Sequence, residues 1–139
     1  MDTTNPGLSS ILSWNCRGLK NKKAFLEKYT WENRPLCIAI QETKLKKDSN
    51  FHIPNYTYRD NPLETEGPAH GGVALFIHED VVFNPIDLKT SFQAIAVRAK
   101  LHKLITICNI YINPDEDFTH RPRKFDQTAT KAFHTYWRL

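Results

Sequence analysis

A chain of 139 residues can build one modest domain with a thin core, and its 40% hydrophobic content and mean hydropathy of −0.52 fit a globular protein in water. No run of about 18 apolar residues is present, which argues against a transmembrane helix and a membrane partner. The net charge of +4 leaves an ordinary basic surface and a polyanionic partner equally open.

Residues 1–9 form a polar leader with Pro6 and Gly7, expected to be flexible. It lacks the basic and apolar regions of a secretory signal, so the chain is expected to be intracellular. A first strand is predicted over Ser10–Asn15, followed by a turn at Arg17-Gly18-Leu19. Asn21 can cap a helix running to Asn33, with Phe25, Leu26 and Tyr29 on its apolar face and Pro35 behind its end. Leu36–Ile40 is apolar on both faces, as a buried parallel strand should be. This β-α-β outline places Asn15 and Glu42 at the same carboxyl edge of a sheet. A carboxylate and an amide meeting there are oxygen donors suited to a hard cation.

Lys44–Asn50 is a Lys-rich loop, either a solvated surface or a contact for nucleic-acid backbone. Tyr56–Arg59 is predicted as a short strand, Asn61–Gly72 as a Pro/Gly loop, and Val73–Ile77 as a strand buried on both faces. Phe92–Leu101 and Leu104–Ile112 read as a hairpin turning at His102-Lys103. Period-two alternation puts Ile105, Ile107, Asn109 and Tyr111 on one face of the second strand. Asp115-Glu116-Asp117 reads as a solvated loop in preference to a metal site. In the tail, 121–139, Asp126 can cap a helix whose stripe is Ala129, Ala132, Phe133, Tyr136 and Trp137. The three cysteines, Cys16, Cys37 and Cys108, lie in apolar runs without Cys-x-x-Cys or zinc spacing and are expected to be buried, reduced thiols.

Trp14-Asn15, Gln41-Glu42-Thr43, Gly71-Gly72-Val73-Ala74 and Asn109-Ile110-Tyr111, in this order, resemble the motifs of the endonuclease/exonuclease/phosphatase superfamily. Ile-Leu-Ser-Trp-Asn-Cys-Arg-Gly-Leu (Ile11–Leu19) with Gln-Glu-Thr-Lys-Leu (Gln41–Leu45) is most similar to the endonuclease domain of non-LTR (LINE-type, jockey-like) retrotransposons. The resemblance covers about residues 10–120. It implies an α/β fold, the N-terminal half of a four-layered DNase I-like sandwich, with a mixed sheet and flanking helices. It also implies an enzyme that cuts phosphodiesters with Mg²⁺ or Mn²⁺ and nicks target DNA to prime reverse transcription. Glu42 and Asn15 match the metal positions, and Asn15 and Tyr111 the positions near the scissile phosphate. Arg17, Lys44, Lys46 and Lys47 would then contact DNA. The full-length element would be nuclear and would carry a reverse transcriptase domain.

A full member of the superfamily continues into Gly-Asp-x-Asn and Ser-Asp-His motifs, and neither occurs in these residues. The chain is therefore expected to be a truncated and inactive form, with apolar strand faces lacking a second layer. Two other readings stay open: an apurinic-type repair endonuclease or related phosphatase, and a non-catalytic nucleic-acid-binding remnant.

Overall fold

The computed structural model describes residues 6–46, 50–61, 71–90, 92–112 and 133–138; for Pro6, Gly7, Asn61 and 133–138 it defines the backbone course. The molecule is a mixed α/β protein of two four-stranded sheets with, among the described residues, one α-helix. The first sheet has the order β1-β2-β4-β3, built from β1 (Ile11–Asn15), β2 (Cys37–Gln41), β3 (Tyr56–Asn61) and β4 (Val73–His78). β1 and β2 run parallel, as the β-α-β pattern requires, and β4 is antiparallel to both of its neighbours. The second sheet, β5-β6-β7-β8, is antiparallel throughout and comprises β5 (Val82–Ile86), β6 (Gln93–Lys100), β7 (Leu104–Tyr111) and β8 (Phe133–Arg138).

The two sheets pack face to face. Cys37, Ala39, Leu75 and Ile77 from the first meet Val97, Ala99, Ile105 and Ile107 from the second in one buried cluster. This corrects the expectation that the strand faces would lack a second layer. Burying each of these Leu or Ile side chains stabilises the fold by about 1.5–3 kcal/mol. Leu8, in a 3-10 turn at Pro6–Ser9, packs against the same cluster, so that end of the leader is attached to the domain.

The other face of the first sheet is covered by α1, Lys23–Asn33, through Leu26 together with Cys16, Leu19, Ile38, Ile40, Ile53, Tyr56 and Phe76. Asn21 does not cap this helix; it lies inside a 3-10 turn, Lys20–Lys22, and no side chain caps α1 at Lys22. The expected apolar face is narrower than its periodicity suggests. Leu26 is fully buried, whereas Phe25 is 55% exposed. The helix ends where predicted. Arg34 takes a left-handed conformation (φ 45°) and its N–H donates to the Thr30 carbonyl at 2.9 Å, after which Pro35 cannot continue the helix.

Two further expectations need correction, and β5 is a strand for which the sequence carried no expectation. β5 contains Pro85, which is tolerated because β5 is an edge strand. Phe133–Arg138 is a strand pairing with β7, not part of a helix; aromatic and β-branched residues suit a sheet as well as a helix stripe. The hairpin turns through three residues, Leu101-His102-Lys103, not two, because Lys100 pairs with Leu104. Lys47, most of the Pro/Gly loop, Asp115-Glu116-Asp117 and 121–132 lie outside the described residues.

Candidate functional site

Strand register brings the four motif segments to one edge of the sandwich. Asn15 is opposite Gln41 at the ends of β1 and β2, and Gln41 is opposite Val73 at the start of β4. In the second sheet Tyr111, at the end of β7, faces Gln93 at the start of β6. Side-chain hydrogen bonds join the sheets at this edge. The Gly72 N–H donates to Gln93 Oε1 at 2.6 Å, and Gln41 Nε2 donates to Asn109 Oδ1 at 2.6 Å.

Asn109 is fully buried and uses its whole amide. Its Nδ2 donates to the carbonyls of Ile40 (2.8 Å) and Ala74 (2.9 Å), while its Oδ1 accepts from Gln41. One side chain of β7 thus ties together β2 and β4. The sequence reading placed Asn109 on the correct face with Ile105, Ile107 and Tyr111 but assigned no role to it or to Gln41. The available signal was a polar residue inside each of two otherwise apolar stripes, since buried amides must find partners.

Past Gln41 the chain leaves the regular strand but remains paired on both sides. On one side Gly18 N–H donates to the Glu42 carbonyl (2.8 Å) and Leu19 N–H to that of Thr43 (2.9 Å). On the other, Thr43 and Lys44 N–H groups donate to Gly72 (3.2 Å) and Gly71 (2.8 Å). Arg17, Glu42 and Lys44 all have positive φ, 53° to 55°, which costs a non-glycine residue about 1 kcal/mol or more. Gly72, at φ 92°, packs so closely that a Cβ there would lie 2.5 Å from Thr43 Oγ1.

Asn15 lies opposite Gln41 at the ends of the parallel pair, and Glu42 is the next residue along the chain. The Asn15 Oδ1 is buried without a hydrogen-bond partner among the described residues. An orphan carbonyl costs about 1–3 kcal/mol, so it marks a place where a further donor or a cation is wanted. Glu42 is half-buried. Tyr111 is also half-buried, on the face it shares with Asn109. Arg17, Lys44 and Lys46 are exposed around the loop, and Lys44 lies against Gly18.

Cys16 sits beneath this loop, its Sγ donating to the Glu42 carbonyl at 3.6 Å, and burial pushes the thiol pKa up despite hydrogen bonding and Lys22. All three cysteines are free; Cys16 and Cys37 are buried and Cys108 is half-buried. Among the described residues no three His, Cys, Asp or Glu side chains gather into a metal cluster. Compared with protein-family models and with curated proteins, the chain gives no match.

Proposed function

We propose that this edge is the metal- and phosphate-holding part of a Mg²⁺-dependent DNA endonuclease centre, in a DNase I-like sandwich of the retrotransposon type. The observation that carries the reading is the meeting of Asn15, with its buried orphan carbonyl, and Glu42 at one strand edge with the other motif segments. Two facing sheets with a helix outside the first are compatible with that sandwich.

The residues fit a hard cation. Mg²⁺ is commonly held by one or two carboxylates, with water and substrate phosphate completing its shell. Glu42 would supply the charge, and Asn15 a neutral oxygen that does not repel phosphate. A bound Mg²⁺ would polarise a phosphoryl oxygen and stabilise the leaving oxygen. Tyr111 would donate its phenol proton to a phosphoryl oxygen. Arg17, Lys44, Lys46 and Lys47 would hold the DNA backbone. In the full-length element this nuclear centre would work beside a reverse transcriptase.

The sequence holds neither Gly-Asp-x-Asn nor Ser-Asp-His, so no residue is assigned to water activation. We expect these residues to bind metal and DNA without cutting. Manganese titration followed by electron paramagnetic resonance tests this. Glu42→Gln should weaken Mn²⁺ binding at least about tenfold, equivalent to about 1.4 kcal/mol. Equal affinity in the two proteins would refute the metal role, and a parallel Mg²⁺ plasmid-nicking assay that scored cleavage would refute the missing turnover. DNA binding with no metal binding would favour the non-catalytic remnant.

A further inference from the structure

Beside Asn15, on the α1 side of the first sheet, lies a short run of aromatic rings. Trp14 on edge strand β1 stands 5.1 Å from Phe25, and Phe25 stands 6.4 Å from Tyr29, centroid to centroid. Trp14 and Tyr29 are half-buried, but Phe25 is 55% exposed although its neighbour Leu26 is fully buried. The helix is already anchored by Leu26, so the exposed Phe25 ring is not what anchors it.

Charge accompanies the rings. Residues 11–33 carry five Lys or Arg against two Glu, which supplies three of the chain's net four positive charges. Lys22 Nζ lies 5.8 Å from the Trp14 ring centroid and also donates to the carbonyls of Cys16 (2.7 Å) and Gly18 (3.2 Å). It therefore links the aromatic run to the loop after Asn15. Rings interleaved with fixed cations suit a strand whose bases are unstacked and whose backbone is anionic. Duplex DNA keeps its bases stacked on one another and has nothing to offer Phe25.

We propose that Trp14, Phe25 and Tyr29 form a stacking platform for single-stranded DNA leading away from the Asn15–Glu42 edge. The choice of DNA over RNA rests on the endonuclease reading above; the stacking geometry does not. The ligand would be a strand freed beside a nick, its bases on the rings and its phosphates near Lys20, Lys22 and Lys23.

The test is tryptophan fluorescence quenching and oligonucleotide anisotropy with the full chain in EDTA, which separates this site from the metal site. The probes are a 20-mer of dT, a 20-mer of rU and a blunt duplex. The dT strand should quench and bind more tightly than either alternative. Phe25→Leu, which keeps an apolar side chain but removes the π-face, should weaken dT binding about tenfold. Its melting temperature should stay that of the parent, and Glu42→Gln should leave dT binding unchanged. Equal binding of the duplex, or parental affinity in Phe25→Leu, would overturn the platform. Preference for rU would overturn the assignment to DNA while leaving the metal test untouched. A Phe25→Leu protein with a lowered melting temperature would show that Phe25 is packing and refute its role as a platform.

Discussion

Replacing Asn109 by Leu tests the bridge that holds the two sheets in register at the site edge. The variant removes three buried hydrogen bonds, to Ile40, Ala74 and Gln41. At about 1 kcal/mol each they account for about 3 kcal/mol, and stranding their former partners adds about 1 kcal/mol or more. The apolar atoms of Leu return about 1–2 kcal/mol. The net loss is about 2–4 kcal/mol, a large part of the roughly 5–15 kcal/mol typical of a domain. Urea unfolding reads it directly. With a slope of about 2 kcal/mol/M, the midpoint should fall by about 1–2 M and the slope should not change. Gln41→Leu removes one of the same bonds, so the double variant should cost about 1 kcal/mol less than the sum of the singles. A midpoint shift under about 0.3 M, or strict additivity of the pair, would refute the bridge.

Gly72→Ala should destabilise by about 2 kcal/mol or more, because φ of 92° is combined with a Cβ 2.5 Å from Thr43 Oγ1. Gly18→Ala, at φ 108° but with its nearest atom at 3.7 Å, should cost about 1 kcal/mol; equal losses in urea unfolding would show that the Thr43 contact carries nothing. Stability should also fall at alkaline pH. Burial pushes the Cys108 thiol up from 9.0 to about 11, and it raises Cys16, Cys37, Tyr56 and Tyr58 as well. The folded state therefore keeps protons that the unfolded state releases. This contribution is complete below about pH 9 and is lost as pH rises through 9 to 11 and beyond. Unfolding midpoints measured from pH 7 to 11 should decline above pH 9, less steeply in Cys108→Ala; a rise would contradict the sign.

The first sheet was legible because its signals are local. Two apolar runs bracketing a helix pattern fixed the parallel pairing of β1 with β2, and hence the place of Asn15 opposite Gln41 at their common end. The second sheet was only half legible. Its hairpin follows from alternation, but β5 carries Pro85, which sequence rules penalise without knowing that the strand is an edge. Phe133–Arg138 pairs with a strand more than twenty residues away, information that no local period contains. The face-to-face packing of the sheets was missed for the same reason. Ala39, Val97 and Ala99 share a core only because the chain crosses from β4 into β5 at Val81, where the turn N–H donates to the His78 carbonyl at 2.9 Å.

The left-handed conformation at Glu42 has a consequence for where the carboxylate can sit. Gln41 faces the space between the sheets, where it meets Asn109. In a continuing strand the next residue would point to the opposite face, under α1. That space is filled by the buried apolar residues Cys16, Leu19, Ile38 and Ile40. A carboxylate there would cost several kcal/mol unless it were neutralised. The positive φ breaks the alternation at a cost of about 1 kcal/mol and leaves Glu42 half-buried, one residue past Gln41, the register partner of Asn15. The loop can hold that conformation because its carbonyl accepts from Gly18 while the next two N–H groups donate to Gly72 and Gly71. The glycines after Asn15 and before β4 thus serve the carboxylate, although none of them touches a ligand in the proposed mechanism.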